Sequence, residues 1–267
     1  MSILVPSAND VIILPSGYFY WDQEDANGNL TGERYVGQTP ALTISAKAPN
    51  QGDVYSSDGP VEELLTTFSS RIDRTADLTM QNVELANVAL FVEGDLAQKS
   101  TSAGSVTGEA IGPVTQGRWY QLGQDATNPA GVQMVQNVVV KDSVPTTYVE
   151  GTDYEVDLDL ARIYIIEGGS IADATSLLTD YDTTAVTWDQ VASNNRAKQY
   201  GALRYVSDNT GGANRTLYAP RALLKPTGNM VWNDRQNAAT LQFQASFMRR
   251  SVNGVYREAL YVDGRAA

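Results

Sequence analysis

The sequence predicts a mainly β protein, in which a β-sandwich or barrel core is flanked by one α-helix. Most segments alternate apolar and polar residues with a period of two, which is typical of half-buried strands. Turns rich in Gly, Asn, Asp and Pro separate these segments. Hydrophobic residues make up 42% of the 267 residues, enough to bury a substantial core. A chain of this length fits one long β domain or two smaller modules.

The longest predicted strand runs from about Thr66 to Met80, and its two faces differ in polarity. A helical interpretation competes at its start, because residues 61–72 also fit a helical stripe after Pro60. The alternation persists to Met80, so the strand is favoured. Its predicted apolar face comprises Phe68, Ile72, Ala76, Leu78 and Met80.

One helix is predicted near residues 83–93. Asn82 is expected to cap its start, and Gly94 is expected to close its end. A second clear strand follows much later, at Thr240–Met248, with strict alternation. The expected apolar face of the helix comprises Leu85, Val88, Ala89 and Val92. The expected apolar face of the late strand comprises Leu241, Phe243, Ala245 and Phe247.

The chain is expected to contain three stretches. Residues 1–110 form the first part of the β core and include the helix. Residues 111–185 form an inserted or decorating β sub-module, and residues 186–267 form the second part of the core and a C-terminal arm. The small, polar segment Lys99–Gly108 is predicted to be a flexible loop or hairpin tip.

The absence of two residue types argues against an enzyme. The chain has no histidine, so serine triads, most zinc sites and most proton shuttles lose their usual base or ligand. It also has no cysteine, which excludes disulfides and thiolate nucleophiles. We therefore predict no catalytic residues, no metal site and no cofactor.

Two sets of residues leave a functional alternative open. Glu155, Asp157 and Asp159 alternate along one predicted strand, which could indicate a glycosidase pair or a hard-cation site. A solvated strand and turn is the favoured interpretation. The tryptophans could instead bind a glycan, although core or interface positions are favoured for them. They are Trp21, Trp119, Trp188 and Trp232.

The net charge of −12 indicates that the chain repels phosphate and does not grip nucleic acid. The C-terminal third nevertheless has a local basic bias, which we interpret as ion-pair partners for acidic parts of a neighbouring subunit. The N-terminal segment lacks the pattern of a signal peptide or spanning helix, so a soluble intracellular product without membrane contact is expected. The basic residues are Lys198, Arg204, Arg215, Arg221, Lys225 and Arg235.

Several phrases resemble the tail tube (major tail) proteins of long-tailed bacteriophages. Arg71–Leu90 resembles their strand-then-helix element, and the resemblance extends over roughly Thr66 to Met248. One departure is the phrase Leu160-Ala161-Arg162, where a glycine is expected in the hairpin turn. The other similar phrases are Gly151–Asp157, Arg162–Asp173, Gly201–Val206, Arg221–Gly228 and Leu241–Met248.

The resemblance implies a structural virion protein. Such subunits form hexameric rings that stack into a hollow tube, through which viral DNA passes during ejection without specific binding. The implied partners are further copies of the chain, a tape-measure protein, and tail-terminator and initiator proteins. The implied location is the virion tail, assembled in the host cytoplasm. Another virion module, such as a capsid or decoration protein, remains an alternative, and a glycan-binding β protein is a more remote one.

The resemblance also suggests which residues face the lumen and which contact neighbouring rings. The polar faces of the two clear strands are predicted to line the lumen, and two loops and both termini are predicted to bridge rings. Gly112–Asp182 is a candidate outer decoration. The lumen-facing candidates are Arg71, Asp73, Thr75, Asp77, Gln242, Gln244 and Ser246. The inter-ring candidates are Asp58, Gly59, Lys99, Ser102 and Gly104.

Overall fold

The structure is a computed structural model that describes residues 13–143, 146–193 and 199–264. Within these ranges the chain forms eighteen β-strands and one α-helix, so the predicted mainly β class is confirmed. The chain divides into two compact units. The first comprises Met1–Leu96 and Val191–Ala267, and the second comprises Ala97–Gln190.

The first unit is built on an eight-stranded antiparallel sheet. Strands β2 and β3 lie at the two ends of its strand order. Strand β4 confirms the predicted strand interpretation over the helical one. The hydrogen-bonded order is β2 (Arg34–Tyr35), β1 (Gly17–Gln23), β13 (Gln199–Ser207), β14 (Arg215–Pro226), β15 (Leu241–Phe247), β4 (Leu64–Met80) and β3 (Ala41–Tyr55), with β18 (Tyr261–Gly264) paired to β14.

The core of the first unit follows the predicted alternation of β15. Successive strand residues point to opposite faces, so every second side chain of β15 enters one cluster with the inner residues of β4. Burying a Phe or Leu side chain contributes about 1.5–3 kcal/mol, which makes this face the main stabilising feature of the sheet. The buried residues of β15 and β4 are Leu241, Phe243, Ala245, Phe247, Ala76, Leu78 and Met80.

Helix α1 (Leu85–Phe91) packs on this core, where the rings of Phe91 and Phe243 meet edge to face at 5.9 Å. The predicted cap at Asn82 is wrong, because the N-cap is Glu84 and it makes no side-chain cap bond. The predicted apolar face is only partly right. Val88 and Ala89 are buried as predicted, whereas the other two predicted members, Leu85 and Val92, are exposed.

Asn87 explains why the buried face of the helix differs from the predicted one. Its side chain is fully buried, and its amide nitrogen donates to the carbonyl oxygens of Val36 at 2.9 Å and Asn82 at 2.8 Å. Because a buried amide must keep its hydrogen bonds, this face of the helix turns toward the sheet. Asn82 thus contacts the helix through its backbone carbonyl, and its side chain does not cap the helix.

The second unit contains two three-stranded antiparallel sheets that share one hydrophobic cluster. Ile163, Ile165 and Leu177 are among its fully buried residues. The predicted sub-module boundaries at 111 and 185 fall inside this unit. One sheet has the order β7 (Trp119–Gln121), β10 (Arg162–Ile165) and β9 (Tyr154–Asp157), and the other has β6 (Gly104–Ile111), β11 (Leu177–Thr183) and β8 (Val135–Asp142).

The predicted flexible loop or hairpin tip at Lys99–Gly108 is wrong, because most of this segment lies in two strands that pair with other strands rather than with each other. Lys99 belongs to strand β5 (Gly94–Thr101), which pairs with β12 (Val186–Ser193), and Gly104 begins β6. The small residues of β6 have weak local strand propensity, but pairing with β11 supplies their backbone hydrogen bonds. A short hairpin of β16 (Arg250–Val252) and β17 (Val255–Arg257) completes the strands.

The turn that departs from the bacteriophage pattern does adopt the conformation that a glycine would favour. Ala161 has a φ of 52°, in the left-handed region, and is fully buried. The backbone nitrogen of Leu160 donates to Oδ1 of Asp157 at 3.0 Å, which closes the turn. The alanine is therefore strained where a glycine would be relaxed.

Candidate functional site

Five predicted lumen-facing residues lie side by side on the sheet of the first unit. In the register of β4 and β15, Gln244 lies opposite Asp77 and Ser246 lies opposite Thr75. The amide nitrogen of Gln244 donates to Oδ1 of Asp77 at 2.9 Å. Gln242 lies one pair further along the same face. We call these five residues, Thr75, Asp77, Gln242, Gln244 and Ser246, the polar face.

A depression of about 400 Å³ lies on this part of the sheet. Thr43, Thr79 and Thr227 line it together with Asp77, Gln242 and Gln244 of the polar face. The only carboxylate in its lining is that of Asp77. Most of the lining residues therefore carry hydrogen-bonding side chains, and Asp77 supplies the charge.

The remaining two predicted lumen-facing residues lie elsewhere. Arg71 and Asp73 are on the outer half of β4, beyond the last residue that pairs with β15. Nε of Arg71 donates to Oδ1 of Asp73 at 2.7 Å, and Lys47 on β3 lies opposite Asp73. This part of the strand therefore carries charges of both signs.

The outer halves of β3 and β4 form a long two-stranded extension of the sheet. Beyond the pair Lys47 and Asp73, these two strands pair with each other alone among the described strands. We call residues 47–73 the arm. Its large apolar side chains are exposed, with exposed fractions of 66% for Leu65, 56% for Phe68 and 57% for Ile72. The full exposed apolar set is Val54, Tyr55, Val61, Leu64, Leu65, Phe68 and Ile72.

The arm corrects the predicted apolar face of β4. The alternation extends through Phe68 and Ile72 as the sequence indicates, but neither side chain joins the core. The reason is the missing third strand, since β15 pairs with β4 only from Thr75 to Met80. Two strands alone provide no second layer against which the apolar residues can pack.

The predicted inter-ring residues occupy two separate places. Asp58 and Gly59 lie at the tip of the arm, between the end of β3 and the start of β4. Gly59 has a φ of 131°, a conformation that favours glycine, and the backbone nitrogen of Asp58 donates to Oγ of Ser56 at 3.2 Å. Lys99, Ser102 and Gly104 belong to the second unit.

Two of the basic residues assigned to a neighbouring subunit are paired within the chain. Nε of Arg204 donates to Glu33 at 2.7 Å, and its guanidinium lies 4.4 Å from the ring centroid of Tyr218. Nη2 of Arg221 donates to Glu24 at 3.1 Å. The intersubunit interpretation is therefore wrong for these two arginines. Another member of that set, Lys198, lies outside the described residues.

The three alternating carboxylates do not form a catalytic pair. Asp157 accepts hydrogen bonds from the backbone of Leu160 and from Nε and Nη2 of Arg162, at 3.2 and 3.0 Å for the arginine. The Leu160 bond first, and then Arg162, lower the pKa of the Asp157 carboxyl. Asp159 lies in the following turn and Glu155 is exposed on β9. A carboxylate kept ionised by an arginine is poorly suited to general acid catalysis.

The described residues contain neither a cluster suited to a metal ion nor a helix suited to spanning a membrane. In the described ranges no group of three or more acidic side chains is arranged to hold a metal ion. No helix in the same part of the chain is long and apolar enough to cross a membrane.

Asn87 is the structural residue that sequence reasoning missed. Its amide oxygen accepts a hydrogen bond from Nη2 of Arg34 at 2.8 Å, and Arg34 also pairs with Glu84. The asparagine therefore joins the helix to the edge strand β2. The only signal in the sequence is a polar residue between apolar ones in a short helix, which is too common to identify such a contact.

Comparisons with known proteins place the chain in one family. No curated protein sequence matches it. Residues 12–255 match the family described as "Protein of unknown function UCP028589". Because the match covers most of the chain, the protein belongs to this UCP028589 family.

Proposed function

We propose that the chain is the repeating subunit of a bacteriophage tail tube, in which hexameric rings stack into the conduit for DNA ejection. The observation that carries the proposal is the arm, an extended hairpin with seven exposed large apolar side chains. The resemblance of Arg71–Leu90 and later phrases to tail tube proteins supports it. The number of subunits in a ring comes from the resemblance alone.

The exposed surface of the arm favours a partner of the same kind. Soluble monomers rarely leave a contiguous apolar patch larger than a few hundred Å² in water. Burying one Leu or Phe of the arm against a neighbour contributes about 1.5–3 kcal/mol, so a few such contacts offset the entropy of association. Identical subunits that each offer an arm can close into a ring by rotation or stack along an axis.

The edges of the sheet give a second reason for self-association. Strands β2 and β3 end the order of the sheet, so each presents one side without a partner in the described strands. An open edge offers backbone N–H and C=O groups to another strand. In a closed ring of subunits these groups would be paired between neighbours, which would remove the edges.

The polar face is the proposed lining of the tube. It offers hydroxyl and amide groups that hydrogen-bond to water, with one carboxylate at Asp77. Each subunit adds a net charge of −12, so the assembly repels the DNA phosphates and lets DNA pass without specific binding. A tape-measure protein inside the tube and terminator and initiator proteins at its ends complete the proposed assembly in the virion tail.

Negative-stain electron microscopy of the purified protein, concentrated over a range of salt, tests the proposal. We expect rings or tubes with sixfold symmetry from the wild type. The triple variant Leu65→Ser, Phe68→Ser and Ile72→Ser should remain monomeric, since it replaces three of the seven exposed large apolar side chains of the arm. A matched control replaces three exposed apolar residues of the second unit, Val149→Ser, Leu158→Ser and Leu160→Ser, and should assemble like the wild type.

Other outcomes favour the alternatives. Closed shells, or trimers without an axial channel, favour a capsid or decoration protein. Equal sedimentation of the wild type and the arm variant at every concentration removes the argument from the arm. Sixfold tubes from both the wild type and the arm variant would keep the proposed function but assign assembly to another surface.

A further inference from the structure

The outer face of one sheet in the second unit carries a compact group of aromatic and charged side chains. In the register of β7, β10 and β9, Tyr164 lies opposite both Trp119 and Glu155. One pair further along, Arg162 lies opposite Asp157. The alternate residues of these strands, such as Ile163 and Tyr154, enter the core, so these five side chains share the other face.

The two aromatic rings form a platform. The ring centroids of Trp119 and Tyr164 lie 5.2 Å apart with an angle of 43° between the planes. The guanidinium of Arg162 lies 4.6 Å from the Trp119 ring centroid, in a cation–π contact. These contacts restrict the orientation of the indole, yet Trp119 remains 45% exposed. A large aromatic side chain held in place and still open to water is prepared for a ligand.

Polar groups border this platform. Asp157 receives two hydrogen bonds from Arg162, which fixes the direction of the guanidinium. Glu155 is exposed beside Tyr164, so its carboxylate is available to accept hydrogen bonds. Gln121 lies next to Trp119 on the same strand, but its amide nitrogen donates to the backbone oxygens of Leu160 and Val132, and thus supports the sheet.

We propose that this face binds a pyranose ring of a polysaccharide. The apolar C–H face of the sugar would stack on Trp119 and Tyr164, because weakly positive C–H groups are attracted to the negative face of an aromatic ring. Glu155 would accept hydrogen bonds from neighbouring hydroxyl groups, and free N–H groups of Arg162 would donate to them. Aromatic rings with a few oriented polar groups are the usual composition of a small-ligand site.

The charge of the site favours a neutral sugar over a nucleic acid. Bases also stack on aromatic rings, but a nucleic acid brings phosphates that need cationic partners. Here the one guanidinium is already paired with Asp157, and Glu155 adds a second carboxylate. A neutral sugar meets no such repulsion.

This inference is independent of the proposed function. Trp119 and Tyr164 belong to the second unit, whereas the arm and the polar face belong to the first. Sugar binding can therefore fail while the tube assembles, and a protein that never assembles can still bind a sugar. The two properties need not exclude each other, in contrast to the sequence interpretation that set glycan binding against the tube.

The test is isothermal titration calorimetry of the full chain with three oligosaccharides in separate experiments. They are cellotetraose, maltotetraose and the tetramer of N-acetylglucosamine. We expect saturable binding of at least one of them. Trp119→Ala should weaken that binding about tenfold or more, since a single aromatic contact of about 1.4 kcal/mol corresponds to that factor. Trp232→Ala, which removes a tryptophan that is 76% exposed in the first unit, should leave binding unchanged.

A second variant keeps the test decisive if Trp119→Ala disturbs folding. Glu155→Gln removes a charge from an exposed position and should weaken binding severalfold while the circular dichroism spectrum stays unchanged. Failure of all three oligosaccharides to bind at millimolar concentration overturns the proposal. Equal losses from Trp119→Ala and Trp232→Ala also overturn it.

Discussion

The two compact units differ in how their exposed apolar side chains are distributed. The first unit gathers seven exposed large apolar side chains on one feature, the arm. In the second unit the exposed apolar residues, such as Val139 on β8 and Leu158 in a turn, lie on different strands and turns. The second unit thus resembles a self-sufficient domain, whereas the first retains a surface suited to association.

A single strand shows the cause of the difference. The inner half of β4 lies between β3 and β15, and there Ala76, Leu78 and Met80 are buried. The outer half has only β3 as a neighbour, and there Phe68 and Ile72 are exposed. In the outer half Thr66, Ser70 and Arg74 share the face of Phe68 and Ile72, so apolar residues are also sparser there. The third strand and second layer that bury the inner residues are missing beside the outer ones.

The largest expected effect is in the core of the first unit. Phe243→Ala removes a ring that is 1% exposed and packs edge to face on Phe91. We expect the free energy of unfolding to fall by about 3–5 kcal/mol, because the substitution loses apolar burial and leaves a cavity. Urea denaturation followed by circular dichroism measures it. The substitution Gln242→Ala, at the neighbouring exposed position, should change the free energy of unfolding by less than about 0.5 kcal/mol. Equal losses from the two substitutions would contradict the assignment of one buried and one exposed face to β15.

The second prediction concerns pH and the second unit. Both carboxylate oxygens of Asp153 accept backbone hydrogen bonds, from Val149 at 2.9 Å and from Ser170 at 2.8 Å. These bonds lower the pKa of the carboxyl below its usual value of 3.8. Its contribution to stability is therefore fully present above that value and is lost as the pH falls through the lowered folded pKa.

Asp153→Asn tests this assignment. An asparagine has one carbonyl oxygen, so one of the two backbone N–H groups loses its acceptor and the variant should be less stable at pH 7. The difference from the wild type should narrow as the pH is lowered from 5 toward 2, in denaturation series at fixed salt. Asp159→Asn, at an exposed position in the next turn, serves as the control. A pH-independent difference would show that the charge of Asp153 is not responsible.

The sequence predicted the fold class and the faces of β15 because alternation is a local property. It could not predict the exposure of Phe68 and Ile72, since that depends on where the distant strand β15 ends. It also misplaced the helix cap. The buried contacts of Asn87 involve Val36, about fifty residues away in the chain, and no local pattern records them.

The candidate polar face shows the same limit. The polar positions on β4 and β15 were identified separately from their alternation, and antiparallel pairing brings Asp77 and Gln244 together. The same alternation grouped Arg71 and Asp73 with them, although these two lie on β4 beyond its pairing with β15, because alternation identifies a face but not its neighbours. The platform of Trp119 and Tyr164 was missed as a unit, since the pairing of β7 with β10 joins residues from distant segments.

A smaller effect is expected at the strained turn of the second unit. Ala161→Gly relieves a left-handed conformation that costs about 1–2 kcal/mol for a residue with a Cβ atom. It also loses about 0.8 kcal/mol from a buried methyl group and about 0.5–1 kcal/mol of chain entropy. We therefore expect a net change in the free energy of unfolding within about 1 kcal/mol. A loss above that range in thermal denaturation would mean that the methyl group packs more tightly than its burial suggests.

The smallest effect on the folding of the monomer is expected when the arm is removed. Lys47 and Asp73 lie opposite each other, so an Asn-Gly turn inserted between them can replace residues 48–72 as a two-residue hairpin. None of the arm side chains that the structure describes belongs to the core, so the free energy of unfolding in urea should change by about 0.5 kcal/mol or less. The shortened chain should also fail to form rings under conditions in which the wild type assembles. Loss of cooperative unfolding would instead show that the arm stabilises the first unit itself, and the contrast between the two units would then disappear.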